Sequence, residues 1–151
     1  MGEVEVKLAD EEATAALARA VFAASSRGMS IGLSGALGSG KTTFVRHFSA
    51  AAGASPADVS SPSYVLAQEY PAANLTIEHW DLYRLFSAPE ELLEPPAPEV
   101  IRLIEWPERG GLEGALDLLL RFEFDDIRLR PSARRAALEG AAAERVQALL
   151  K

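Results

Sequence analysis

Residues 35–42 read Gly-Ala-Leu-Gly-Ser-Gly-Lys-Thr, a glycine-spaced loop that ends in a lysine and a hydroxyl residue. The spacing satisfies G-x-x-x-x-G-K-[ST] in full, the pattern of a loop that cradles the phosphates of a nucleoside triphosphate. Each position has a physical task. Gly35, Gly38 and Gly40 let the backbone take angles that other residues resist, so that successive N–H groups turn inward towards an anion. Lys41 is a point charge for the β- and γ-phosphates, and the Thr42 hydroxyl is a ligand for Mg²⁺. A glycine-rich turn with a chance lysine is the competing reading, and it loses ground because a strand precedes this loop and a helix follows it.

A cradle alone hydrolyses nothing. Phosphoryl transfer also needs a carboxylate to support the metal and a group that orients the attacking water. Two acids close apolar runs: Glu105 after "VIRLI" and Asp81 after "LTIEHW". A strand-end carboxylate is also an ordinary turn or cap residue, so both are candidates only. His79 lies on the same strand face as Asp81 and could assist it, although a lone histidine on a strand is more often simply packed. Trp106 and Trp80 could be core residues, and Trp106, next to Glu105, could equally border a nucleotide pocket.

The elements that must position these residues alternate in type. "VEVKLA" (4–9) reads as a strand, and Asp10 caps a helix running to about Ser25, with Glu11 and Glu12 in its first turn, where the helix dipole favours acids. "SIGLS" (30–34) is a compact strand. The helix from Lys41 places Phe44, Val45 and Phe48 on one face and ends at Gly53. The helix dipole adds its positive end to the loop. "SYVLAQEY" (63–70) and "LTIEHW" (75–80) form a hairpin pattern around Pro71 and Asn74. "EVIRLIEW" (99–106) and "ALDLLLRFEF" (115–124) are further strands, "IRLRPSARRAALEG" adds short strand material, and "AAAERVQALLK" closes as an amphipathic helix. Segment 88–99 holds four of the nine prolines and reads as an exposed connection with one short helical turn. The alternation predicts an α/β fold with a mixed, mainly parallel central sheet flanked by helices.

Length and composition bound the rest. With 151 residues the chain fits one domain, residues 1–151. No cysteine is present, which excludes disulfides and thiolate metal sites. The N-terminus lacks a basic segment before an apolar core, and no apolar run approaches the roughly 20 residues of a membrane helix, so the cytoplasm is the expected compartment and no membrane the expected partner. A net charge of −7 argues against a nucleic-acid grip by bulk electrostatics. Arg128, Arg130, Arg134 and Arg135 are the single basic concentration, and such runs are commonly solvated faces.

The segments "GALGSGKTTFVRHF", "SPSYVLAQEY", "HWDLYRL" and "IEWPERG" follow in that order with short gaps. Together they resemble the bacterial TsaE (YjeE) family, P-loop ATPases of tRNA threonylcarbamoyladenosine formation. The likeness runs from "DEEAT" (10–14) to the arginines near 134. "DLYR" followed by "IEWPE" is far more specific than the loop itself. The resemblance implies the P-loop NTPase fold and ATP contacts at Ser39, Gly40, Lys41, Thr42 and Thr43. It implies Mg²⁺ at Thr42 and Glu105, and a catalytic or metal-associated role for Asp81. Ser61–Tyr64 matches a switch-like loop, with Ser63 where relatives carry threonine. "DEEAT", with Glu11, matches a stretch lying against the adenine, and Arg134 aligns with an arginine that reaches the nucleotide.

In function, the resemblance implies an ATPase, weak alone, that drives or resets the TsaD–TsaB complex. TsaD transfers threonylcarbamoyl to adenosine 37 of tRNAs reading ANN codons, so tRNA is met only indirectly. One departure stands out: "EELLEPPAPEVIRLIEW" is compressed, proline-rich and without the glycine of relatives, which bears on partner contacts. Two other classes share the loop. A small-molecule kinase would need an arginine-bearing lid, which 88–99 does not supply. A nucleotide-gated binding module that hardly hydrolyses ATP is separated by single-turnover hydrolysis with and without partners.

Overall fold

The computed structural model describes residues 3–55, 59, 66–124 and 133–150. Among the described residues seven strands and three α-helices follow one another, alternating only as far as β3: β1 (Val4–Leu8), α1 (Glu11–Ala24), β2 (Ser30–Ser34), α2 (Lys41–Ala52), β3 (Ala67–Pro71), β4 (Thr76–Asp81), β5 (Val100–Glu105), β6 (Leu118–Phe124), β7 (Arg134–Gly140) and α3 (Ala143–Leu149). Short 3-10 turns occupy Glu90–Leu93, Pro107–Gly110 and Glu113–Ala115.

Local chemistry fixes the helix ends. The Asp10 carboxylate accepts a hydrogen bond from the Ala13 N–H at 2.9 Å, capping α1. At the other end of α2, Gly53 takes φ 101° and its N–H bonds the carbonyls of Ala50 and Ser49, the left-handed stop that glycine permits.

The strands form one sheet in the order β1-β7-β6-β2-β5-β4-β3. β2 lies at its centre, parallel to both β6 and β5, and β4 is parallel to β5. β7 runs antiparallel between β6 and β1, and β3 pairs antiparallel with β4. Five strands therefore point one way and two the other, a mixed and mostly parallel sheet. Every residue of β5 is buried, as a strand covered on both faces requires.

The two faces are covered unequally. On one, Leu17 and Val21 of α1, Phe44 and Phe48 of α2 and Val146 of α3 pack on Ile31, Leu33, Leu103 and Phe122. On the other, Trp80 and Ile104 are covered by Leu82, Leu92 and Leu112 from connections rather than from a helix. Segment 88–99 makes its helical turn at Glu90–Leu93, but Leu92 is buried, so that connection is anchored and not wholly exposed. β6 begins later than its apolar run suggests, at Leu118, because Glu113–Ala115 winds into a 3-10 turn; β3 spans Ala67–Pro71, and residues 63–65 of its run lie outside the described residues. No described helix is long and apolar enough to cross a membrane.

Candidate functional site

The loop that leaves β2 turns directly into α2. Its glycines take φ values of 142° (Gly35), 76° (Gly38) and 114° (Gly40). At Gly35 there is a second constraint: a Cβ would stand 2.5 Å from the Phe122 carbonyl oxygen and 2.7 Å from Ser39 Oγ, so any side chain would fill the cradle. The Ser39 hydroxyl is buried and has no hydrogen-bond partner among the described residues. It is one of three such buried side-chain atoms among the described residues, with Ser49 Oγ and Arg135 Nε.

Lys41 opens α2 and folds back over its own loop. Its ammonium donates to the carbonyls of Gly35 and Ala36, the second at 3.0 Å, and lies 4.6 Å from the centroid of the Trp106 ring. Burial pulls this ammonium below the usual lysine range, while the charges of Glu105, Asp81 and Glu108 oppose that shift. Thr42 and Thr43 follow in the first turn of α2, both half-buried.

The two strand-end carboxylates stand side by side, because β4 and β5 pair in parallel with Asp81 opposite Glu105. Glu105 is 3% exposed and its Oε2 lies 2.6 Å from His79 Nε2. His79 is fully buried, and its Nδ1 lies 2.8 Å from the Tyr70 hydroxyl. That burial excludes direct contact with a bulk water, so His79 is a packed, hydrogen-bonded residue. Asp81 is half-buried and accepts from the Tyr83 N–H at 2.9 Å. Burial pushes its carboxyl above the ordinary aspartate range; the Tyr83 N–H counteracts this, the Glu105 charge adds to it, and the neighbouring His79 and Lys41 side chains lower it.

Trp106 leaves β5 with φ 60°, the one positive φ outside glycine among the described residues. Its half-buried ring meets Tyr83 at 4.9 Å, and the Arg109 guanidinium lies 5.2 Å from Trp106 and 5.3 Å from Tyr83. Trp106 is thus at the loop's rim, and Trp80 is in the core. On the opposite flank, Arg134 reaches from β7 with Nη2 3.4 Å from the Gly38 carbonyl, its guanidinium resting 4.3 Å over Phe124. Arg135 instead pairs with Glu123 and Glu5. Glu11 contacts His47 of α2 at 3.0 Å rather than the glycine loop. Ser61–Tyr64, Arg128 and Arg130 lie outside the described residues.

Three residues of the site were not singled out in the sequence. Tyr83 and Arg109 build the aromatic–cationic stack, and Glu108 accepts from Ser34 Oγ at 3.0 Å. Their adjacency to Asp81 and Glu105 in the chain was the available signal.

The donor set fits a magnesium–nucleotide. Thr42 and Glu105 are oxygen donors suited to a hard cation, and the glycine cradle suits phosphate. No group of three or more His, Cys, Asp or Glu side chains converges among the described residues.

A central parallel strand, a glycine loop and a following helix, with carboxylates at the ends of the adjacent strands, define an α/β protein of the P-loop class. The fold matches the crystal structure of YdiB from Bacillus subtilis with a TM-score of 0.67, at 23% identity, covering 98% of this chain and 91% of that one. The chain belongs to the TsaE family: the model described as "Threonylcarbamoyl adenosine biosynthesis protein TsaE" matches residues 8–135. Two proteins named tRNA threonylcarbamoyladenosine biosynthesis protein TsaE are similar to it. That of Haemophilus influenzae is 41% identical over 103 residues, 64% of this chain and 64% of the relative's length. That of Aquifex aeolicus is 35% identical over 123 residues, 81% of this chain and 88% of the relative.

Proposed function

We propose that this chain is a Mg²⁺-dependent ATPase of the cytoplasm, working as one domain in the threonylcarbamoyladenosine modification at position 37 of tRNAs reading ANN codons. ATP hydrolysis here supports the TsaD–TsaB transferase complex, and the chain meets tRNA only through those partners. The observation that carries the reading is the convergence on one loop of Lys41, Asp81 and Glu105, with the Trp106 ring beside the ammonium. Membership of the TsaE family supports the pathway.

Bound Mg²⁺ supplies neutralisation of the β- and γ-phosphate charge. The chain's own residues do the rest. Backbone N–H groups of Gly35, Gly38 and Gly40 hold the phosphates, with Thr43 beside them and Ser39, whose own N–H donates to the Ala36 carbonyl at 3.1 Å, bracing the loop, and Lys41 exchanges the Gly35 and Ala36 carbonyls for phosphate oxygens. Thr42 and Glu105 hold the metal. Asp81 orients the attacking water, a role its raised pKa suits. Arg134 closes the loop's far side, and Glu11 borders the base. A kinase reading is disfavoured because 88–99 is tied down: Leu92 is buried, and Arg102 Nη1 donates to the Glu94 carbonyl at 2.8 Å.

The deciding experiment reconstitutes tRNA modification with and without the chain and with Lys41→Ala. Loss of both ATP turnover and sustained modification is expected for Lys41→Ala, because the phosphate charge goes uncompensated. Normal turnover would remove the loop from the mechanism. Trp106 fluorescence reports binding directly: it should change on adding Mg-ATP, and Trp106→Phe should abolish most of that change.

A further inference from the structure

The buried side chains behind Glu105 form a line that the reaction itself does not use. Gln68 and Tyr70 lie on β3, His79 on β4 and Glu105 on β5, so three adjacent strands each contribute a member. Tyr70 OH is 2.6 Å from Gln68 Oε1 and 2.8 Å from His79 Nδ1, and His79 Nε2 is 2.6 Å from Glu105 Oε2. Tyr70, His79 and Glu105 are 2%, 0% and 3% exposed. The backbone of Glu105 is anchored as well, its carbonyl accepting from the Leu82 N–H at 3.0 Å.

We infer that His79, itself held by Tyr70, is a positioning residue that fixes the Glu105 carboxylate towards the glycine loop. A glutamate side chain has three rotatable bonds, and ordering it in a metal shell costs rotamer entropy at the moment of binding. In this chain the ordering is complete beforehand. Donation from Nε2–H to Oε2 occupies one carboxylate oxygen, and Oε1 is left for the metal or its water. The phenol of Tyr70 keeps the imidazole in place, since it faces the other ring nitrogen and the ring has no solvent on any side. Partners behind a ligating carboxylate typically govern metal affinity by about 10–100-fold. His79 transfers no proton in this scheme and touches no substrate.

This inference rests on the proposed Mg²⁺–nucleotide site, and its test separates the two. Nucleotide affinity is titrated against Mg²⁺ concentration by calorimetry for the native chain, His79→Leu, His79→Gln and Tyr70→Phe. His79→Leu should need about tenfold more Mg²⁺ for half-maximal tightening, with affinity in the absence of metal unchanged. His79→Gln, whose amide N–H can reach Oε2, should recover most of that loss, and Tyr70→Phe should lie between. Imidazole nitrogen NMR of the metal-free native chain gives an independent readout: His79 should show a slowly exchanging Nε2–H that Glu105→Gln shifts, with His47 as the internal reference. An unaltered Mg²⁺ dependence in His79→Leu, no rescue by Gln, or an Nε2 without a proton overturns the inference. If the native chain itself shows no Mg²⁺-dependent nucleotide binding, the functional reading fails, while the NMR result still decides whether His79 holds Glu105.

Discussion

Strands β4 and β5 carry two acid–base pairs on opposite faces, and the pairs are built to different ends. On the face without helices, Arg102 Nε donates to Glu78 Oε1 at 2.6 Å, Arg102 Nη1 to the Glu94 carbonyl at 2.8 Å, and Trp80 Nε1 to the same Glu78 oxygen at 2.6 Å. One residue along, on the helix face, His79 engages only one oxygen of Glu105. The first pair has its partners within the fold and ties the proline-rich connection to the sheet. The second ends in a carboxylate beside the loop of Lys41. Two hydrogen-bonded pairs of equal distance therefore read differently once each remaining oxygen and N–H is followed to its partner.

The comparison breaks most visibly at the reactive end. Asp81→Ala should bind Mg-ATP nearly normally yet lose about 10²–10⁴ in turnover, the range of positioning and general-base effects. Glu105→Ala should instead raise the Mg²⁺ requirement and weaken nucleotide binding in metal. Titration of affinity and phosphate release on both variants decide, and the reverse pattern would exchange the two roles. The stapling pair should respond in stability alone. Arg102→Met leaves the largely buried Glu78 carboxylate unpaired and should cost about 3 kcal/mol in denaturant unfolding, with Mg²⁺ dependence unchanged. A loss of nucleotide affinity at constant stability would contradict the division of labour.

A third pair sharpens the contrast at the small end. Arg121 Nη1 donates to Glu139 Oε1 at 2.6 Å, but both side chains are about 40% exposed. That hydrogen bond holds the Glu139 carboxyl below the usual glutamate range. Because the folded-state pKa is depressed, the pair's contribution is present above the unfolded pKa and disappears as pH falls through the folded one. Arg121→Ala should therefore cost no more than about 1 kcal/mol at neutral pH, and the difference from the native chain in thermal unfolding should vanish in acid.

Much of this was legible in the residues. Asp10 as a cap, Gly53 as a stop and the apolar face of α2 are local signals, and all three hold in the structure. Strand order was not legible, because β2 pairs with strands that follow it by some seventy residues or more, and no local pattern encodes that choice. Within the candidate site, the glycine loop came from motif spacing, and the two carboxylates from their places at the ends of apolar runs and from the family resemblance. The partner of His79 did not: period-two alternation gives the face on which a side chain stands, never which residue of the next strand meets it. The left-handed turn at Trp106 was equally silent, since tryptophan has no preference for that conformation.

The central position of β2 has a kinetic consequence. Its neighbours β5 and β6 begin at residues 100 and 118, and the Gly35 backbone is seated against Phe122. A chain that has condensed only as far as α2 possesses the glycine loop but neither wall beside it. Contacts of such long sequence separation form slowly, because loop closure comes before any packing compensates it. An anion gripped by the finished loop therefore binds the native state and little that precedes it. Saturating ligand should act as a brake on unfolding, lengthening the lifetime of the folded chain while leaving the rate at which it first folds almost untouched.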